Sequence, residues 1–343
     1  MKALMKTHPG VGNIEIRDVP EPTPGPGQVM IEVKAAGICG TDLHIYHDTF
    51  KSNPPVILGH EFCGVVKDVG AGVTEVKPGD RVTSETAAIV CGNCRFCRTG
   101  NYNLCPERRG LGYGVDGAFT KYCVVRKDIV HRLPDSIDFR IGAMCEPLSC
   151  AVHGVIEQTG VRAGELVAVI GPGVIGLMAA QVAMAEGGTV VVIGIDKDTE
   201  KLSLAEKLGA KRTINLSKEN PTQVIKELSD GYGADVVFEC AGVASAARLG
   251  FSLAAKRGRY CQMGLFGQPI EIDLEQIAYK ELTVSGFFSQ KWTAWQTAIR
   301  LLKEKKVTLD PLISQELPLE EWEKGFNSKE KGSGLKTLLF PEG

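Results

Sequence analysis

A chain of 343 residues, 43% hydrophobic and 23% charged, has the balance of a soluble globular protein and enough length for two domains. Its formal net charge of -2 gives no electrostatic reason to expect nucleic acid or an anionic membrane as partner. No signal-peptide-like segment follows Met1 and no run approaches the ~18 apolar residues of a membrane span, so a cytoplasmic protein acting on a small molecule is expected.

The first half is a succession of short apolar runs broken by glycine and proline, at residues 29–35, 62–69, 80–83 and 119–125. That rhythm predicts antiparallel strands in a barrel-like or sandwich domain. Between the first two runs, Gly37-Ile-Cys39-Gly-Thr41-Asp-Leu-His44 sets a thiol on a glycine-flanked turn, and Gly59-His60-Glu61 follows with an imidazole and a carboxylate. Singly, each has an ordinary explanation: Cys39 as a small buried hydrophobe, His60 as a turn histidine, Glu61 as a solvated or capping acid. Together they offer two or three ligands to a catalytic metal, which needs about three from the protein and an open position. Such a metal suits alcohol oxidation. The alcohol must lose its proton before releasing hydride, and a metal lowers the pKa of bound water from about 15.7 to about 7.

Of the eleven cysteines, four crowd into one short stretch as Cys91-x2-Cys94-x2-Cys97-x7-Cys105. The spacing suits a closed tetrahedral zinc site of structural role, at about residues 91–105. Iron–sulfur ligation is the rival, but nothing else in the chain asks for electron transfer.

From residue 165 the rhythm changes to strand-like runs (166–170, 190–195, 212–215, 235–240, 259–263, 282–287) alternating with helix-length segments. Alternation of this kind builds a parallel, doubly wound sheet. The first run leads into Gly171-Pro-Gly173-Val174-Ile175-Gly176 and a helix-forming segment. This is the context in which Gly-x-Gly-x-x-Gly binds a dinucleotide: a tight turn, close approach of the pyrophosphate, and close helix–strand packing. The next run ends at Asp196, which favours NAD by accepting from both ribose hydroxyls and repelling a 2′-phosphate; Lys197 and Lys201 nearby weigh the other way. A last helix is predicted over 295–305.

Cys39-Gly-Thr-Asp, Gly59-His-Glu, the four-cysteine lobe and the glycine motif, in this order, resemble the zinc-containing medium-chain dehydrogenases over essentially the whole chain. The resemblance implies an α/β protein. Residues 1–147 and 289–343 would form a GroES-like, β-rich catalytic domain and 148–288 an NAD-binding Rossmann domain. It also implies that Met263, Gly264, Leu265, Phe287 and Phe288 join Lys201 and the glycine motif in holding the cofactor.

Within the family, Cys145-Glu146-Pro147-Leu148-Ser149 resembles the polyol and threonine dehydrogenases, which carry an acid where simple alcohol dehydrogenases carry a cysteine ligand. Glu146 is then expected to coordinate the catalytic metal directly or through its water, beside Cys39, His60 and Glu61. One thiolate, one imidazole and carboxylates make a site hard enough for manganese or another divalent ion as well as zinc. Thr41 and His44 are expected to form a proton relay. Thr41-Asp-Leu-His44-Ile-Tyr46 looks like the threonine dehydrogenases, whereas Glu146-Pro-Leu-Ser149-Cys150-Ala-Val-His153, Gly100-Asn-Tyr-Asn-Leu-Cys105-Pro in the lobe and the closing Gly332-Ser-Gly-Leu-Lys336 look like the polyol enzymes. The polyol reading is preferred: oxidation of a sugar alcohol or its phosphate to the ketose, with L-threonine 3-dehydrogenase or 2,3-butanediol-type activity as the alternative. Sorbitol-type enzymes often carry an arginine after the last Rossmann strand, where this chain has Ser289-Gln290. Arg108, Arg109 and Lys291 read as solvated surface charges rather than phosphate partners, His153 as a core residue, His8, His47 and His131 as without role, and Cys145 and Cys150 as buried thiols. A homotetramer or homodimer is expected.

Overall fold

The computed structural model of the chain describes residues 1–341. They divide into two compact units: Met1–Ser149 with Ser289–Lys303 and the segment from Leu309 onward, and Cys150–Phe288 with Glu304–Thr308.

In the first unit a seven-stranded sheet has the spatial order Ile313–Pro318, Lys336–Phe340, Gln28–Gly37, Glu61–Val69, Arg81–Ser84, Val130–Arg132, with Tyr122–Arg126 also pairing to Gln28–Gly37. A smaller sheet joins Ile14–Asp18, Lys2–Lys6 and Val56–Ile57. Burial in Gln28–Gly37 alternates, as one buried face requires, and its inward residues Val29, Ile31 and Val33 meet Phe62, Val82, Phe119 and Leu339 in one core. Each such side chain fully withdrawn from water contributes about 1.5–3 kcal/mol. The sheet is mixed rather than wholly antiparallel, because Ile313–Pro318 runs parallel to Lys336–Phe340.

The second unit is a six-stranded parallel sheet in the order Arg212–Asn215, Thr189–Gly194, Leu166–Ile170, Ala234–Glu239, Ala254–Gln262, Thr283–Gly286. Helices Val174–Ala185, Thr199–Lys207, Pro221–Leu228 and Ala244–Leu253 connect successive strands, giving the doubly wound arrangement. Leu166–Ile170 is apolar throughout and wholly buried, as a central strand covered on both faces must be. Thr189–Gly194 ends before the predicted run does, so Asp196 opens a 3-10 turn, Asp196–Asp198, just beyond the strand. Helix Cys145–Val152 passes into a π-helical stretch, His153–Thr159, that hydrophobic periodicity gives no sign of. Among the described residues no helix is long and apolar enough to cross a membrane.

Candidate active site

Strand register assembles the first candidate site. Gly37 pairs with Glu61 on one side and with Leu338 on the other. Cys39 follows Gly37 by two residues, His60 precedes Glu61, and Lys336 lies two residues before Leu338. Ligand atoms of Cys39, His60 and Glu61 consequently fall within 4.8 Å of one another. A Cβ on Gly37 would stand 2.3 Å from Glu61 Oε2, so any side chain there would displace the carboxylate. Cys39 caps helix Gly40–Tyr46, its N–H donating to Asp42 Oδ2 at 2.8 Å. That capping acid is fully buried, and its Oδ1 lies 3.8 Å from His60 Nδ1. Neither of those two atoms has a hydrogen-bond partner.

The electrostatics favour a cation. Burial works against protonation of His60, yet Cys39, Asp42 and Glu146 outweigh it and hold the imidazole well above its ordinary value. The same field would act on a divalent ion. Burial also pushes the Glu61 carboxyl up, but Lys336 more than reverses this and keeps it ionised; Lys336 Nζ lies 2.5 Å from Glu61 Oε2 and also donates to Ile38 O at 3.1 Å. A thiol, a buried imidazole with an orphaned nitrogen and an ionised carboxylate form a donor set that fits zinc.

Glu146 is not one of the three clustered ligands but stands beside them, near enough for its charge to act on His60. Burial pushes it up to about 7, against the pull of His60, and its Oε1 accepts from Gln290 Nε2 at 2.7 Å. Cys145, next to it, is fully enclosed and pushed up to about 12 by burial. Thr41 Oγ1 lies 3.7 Å from Cys39 Sγ. His44 is exposed, with Nδ1 3.3 Å from Thr49 Oγ1.

The second candidate site is the cysteine lobe, where the sulfurs of Cys91, Cys94, Cys97 and Cys105 lie within 4.8 Å of one another. Backbone N–H groups point at the sulfurs: Cys91 N to Cys105 Sγ at 3.3 Å, and Cys94 N to Cys91 Sγ and Cys97 N to Cys94 Sγ at 3.4 Å. The N–H groups of Asn93 and Cys94 draw the Cys91 thiol down to about 7, while burial pushes Cys97 up to about 12. Four convergent sulfurs, three of them accepting from backbone amides, suit a tetrathiolate metal site.

In the second unit, Gly171 turns the chain at φ 98° after Leu166–Ile170, and a Cβ on Gly176 would stand 1.9 Å from Gly171 O. Gly173 caps helix Val174–Ala185 and faces open space. A cavity of about 360 Å³ opens at this turn, lined among others by Gly171, Gly173, Lys197, Asp198, Lys201 and Ala241. These features suit a dinucleotide, its pyrophosphate at the helix N-terminus. Asp196, exposed between the lining residues Ile195 and Lys197, accepts from Asn215 Nδ2 at 3.0 Å, and Lys201 is ion-paired with Asp198 at 3.3 Å. Val174 is buried and Ile175 half-buried on the helix that follows. Met263 and Phe287 converge on Gly154, while Leu265 and Phe288 stand exposed.

Three residues of these sites carry no sequence signal. Lys336, the partner of Glu61, was visible only as part of a closing motif. Glu239, an acid ending an apolar strand, is fully buried and accepts from Ala241 N and Gly242 N at 2.9 Å, while its backbone carbonyl accepts from Gly264 N. It ties the loop at Cys240–Val243, which lines the cavity, to the turn at Met263–Gly264. Arg108 corrects the expectation of a solvated surface charge: it is half-buried and donates to Tyr113, Thr86 and Ser289. Arg109 is exposed as expected. His131 is not idle either, being paired with Glu85 at 2.9 Å and stacked on Trp295, and Cys150 is half-buried rather than buried. His153 is buried, with Nδ1 2.5 Å from Glu157 Oε2.

Comparison with known proteins places this geometry. Residues 25–135 match the alcohol dehydrogenase GroES-like domain and residues 174–304 the zinc-binding dehydrogenase domain. The chain is 46% identical to a sorbitol dehydrogenase of Halalkalibacterium halodurans, covering 99% of both chains. It is 38% identical to a D-arabitol-phosphate dehydrogenase of Enterococcus avium (99% and 97% covered) and 40% identical to an L-threonine 3-dehydrogenase of Bacillus subtilis (99% of both). A crystal structure described as a zinc-binding dehydrogenase from Sinorhizobium meliloti bound to NADP superposes with a TM-score of 0.92 at 37% identity, over 99% of both chains. The chain belongs to the zinc-binding dehydrogenase family, with its GroES-like and Rossmann domains, and is an oxidoreductase.

Proposed function

We propose that this protein oxidises a secondary hydroxyl of a sugar alcohol, or of its phosphate, to the ketose, with NAD as hydride acceptor. The observation that carries the reading is the carboxylate beside the Cys39–His60–Glu61 cluster: helix Cys145–Val152 offers Glu146, while the neighbouring thiol is enclosed and kept protonated. The sorbitol and arabitol-phosphate dehydrogenases among the relatives support the same substrate class.

Zinc held by Cys39, His60 and a carboxylate, Glu61 or Glu146, would supply the Lewis acidity that makes the substrate hydroxyl acidic. Cys39 and His60 orient that hydroxyl, and Glu146 adds a negative charge whose strength follows its own protonation. Thr41 Oγ1, beside Cys39, accepts the departing proton while giving up its own, and His44, exposed on the same helix, takes that proton and releases one to water. The cysteine lobe would hold a second zinc of structural role. On the Rossmann unit, Gly171, Gly173, Val174, Ile175 and Gly176 carry the pyrophosphate, and Met263, Gly264, Leu265, Phe287 and Phe288 the nicotinamide end. Asp196, fixed by Asn215, favours NAD, and the pairing of Lys201 with Asp198 leaves that lysine less disposed to a 2′-phosphate. The NADP in the Sinorhizobium neighbour makes the cofactor ratio a necessary measurement. The reading includes a cytoplasmic homo-oligomer, supported by the open sheet edge at Thr283–Gly286, where Val284 is exposed.

A screen for NADH release over pentitols, hexitols, their phosphates, 2,3-butanediol and threonine tests this. A polyol or polyol phosphate should give the highest kcat/KM. If threonine or butanediol does so, the substrate class is wrong.

A further inference from the structure

The amide that bonds Glu146 has two ends of equal shape, one donating and one accepting, so its orientation is decided by what surrounds its oxygen. Gln290 is only 2% exposed. Ser289 Oγ donates to Gln290 Oε1, and Thr86 Oγ1 lies 3.5 Å from the same oxygen. A hydroxyl could equally well accept there. Arg108 removes that freedom. Its Nη2 donates to Thr86 Oγ1 at 3.0 Å and to Ser289 Oγ at 3.2 Å, and its Nη1 donates to Tyr113 OH at 2.5 Å. A guanidinium has no acceptor and keeps its protons throughout the working pH range, so each hydroxyl must accept from it and aim its own hydrogen elsewhere. The row then has one polarity, from Arg108 through Ser289 and Thr86 to Gln290 Oε1, which leaves Nε2 as the group facing Glu146.

The third contact leads to the same place by another route. Tyr113 stands edge-on to His60, with ring centroids 6.4 Å apart. Arg108 thus reaches both sides of the candidate metal site, through an amide on one and an aromatic ring on the other.

We propose that Arg108 is a positioning residue of the metal site: it fixes the amide of Gln290 so that Glu146 meets a donor, and braces the ring that packs on His60. Turned the other way, Gln290 would set a carbonyl oxygen against a carboxylate. The inference rests on the reading of His60 and Glu146 as metal-site groups given above.

The test combines zinc affinity, measured by chelator competition, with kcat and KM for Arg108→Met, Arg108→Lys, Gln290→Met and the Arg108→Met/Gln290→Met double variant. The lobe zinc reports that the unit has folded. Arg108→Met should lower the affinity of the non-lobe zinc, and kcat with it, by about 10–100-fold, the usual range for groups that orient metal ligands. KM for the polyol should stay within about threefold, because no substrate contact is removed. Arg108→Lys, again donor-only, should recover most of the loss. Gln290→Met should reproduce the part carried through Glu146, and the double variant should be no worse than Arg108→Met alone, since the Gln290 path begins at Arg108. Unchanged zinc affinity and kcat in Arg108→Met, or losses that multiply in the double variant, would overturn the inference. Should Arg108→Met fail to fold, Thr86→Val/Ser289→Ala, which removes the hydroxyls between Arg108 and Gln290, provides the same comparison with and without Gln290→Met. A wild-type protein holding zinc only in the lobe would overturn the functional reading, and this inference with it.

Discussion

Replacing Lys336 by Met removes the ammonium that neutralises Glu61 and leaves the fold otherwise free to form. The two groups are 2% and 1% exposed and 2.5 Å apart, so water cannot take the lysine's place without rearrangement. At an effective dielectric of about 20, charges at that separation attract by about 6–7 kcal/mol. Part of this offsets the cost of burying both ions, so the net penalty for stranding one of them is about 3–5 kcal/mol. For a unit of this size, at roughly 2–4 °C per kcal/mol, its unfolding midpoint should fall by about 6–20 °C. The loss should also depend on pH. In the wild type Glu61 lies below its ordinary value of 4.5, so its contribution is present above that pH and is lost as pH falls through the lowered value. In Lys336→Met burial is opposed only by His60 and, more weakly, Lys329, so the carboxyl moves up, and the deficit should shrink as the solution is acidified toward 4.5. Calorimetry of the metal-free protein across pH, with Glu61→Gln/Lys336→Met as the neutral pair, measures both effects. The reasoning fails if the single variant loses less than about 1 kcal/mol, or if the double variant is no more stable than the single.

Cys39→Ser should leave the fold and the lobe metal in place and reduce turnover by about two orders of magnitude or more, because a thiolate ligand is lost; retention of most activity would disprove its role. Asp196→Ser should raise kcat/KM for NADP relative to NAD by about tenfold or more, in line with the removal of one charge repulsion; an unchanged ratio removes the acid from cofactor selection. Brief alkylation of the native protein at pH 8, read by peptide mass spectrometry, should spare Cys123 and Cys145, whose thiols burial pushes up to about 12. Labelling of either at the rate of the half-buried Cys150 would contradict that burial.

What could be read from the sequence was local. The cysteine lobe needs only spacing, because its four ligands lie within one short loop, and the glycine turn needs only the strand before it and the helix after it. Parallel strands announced themselves as unbroken apolar runs such as 166–170. The residues that complete the first site were silent for the opposite reason. Lys336 meets Glu61 across 275 positions and Gln290 meets Glu146 across 144, so no periodicity connects them. Arg108 looked like surface because two adjacent arginines after a turn usually are; only the tertiary fold separates the one that is hydrogen-bonded from Arg109, which is exposed. Asp196 was placed at the end of a strand and lies just past it, a boundary that apolar pattern alone does not resolve.

The strand Lys336–Phe340 lies between Gln28–Gly37 and Ile313–Pro318. During synthesis, every strand of the Rossmann sheet has left the ribosome before this one appears. The first unit must therefore wait with an incomplete sheet, and with Glu61 lacking its lysine, while the second can already close. A metal ion captured by Cys39 and His60 in that interval would meet a carboxylate not yet committed to Lys336. On the proposed reading, the order of translation would give the ion an early claim on Glu61, one that the finished fold contests with a buried ammonium.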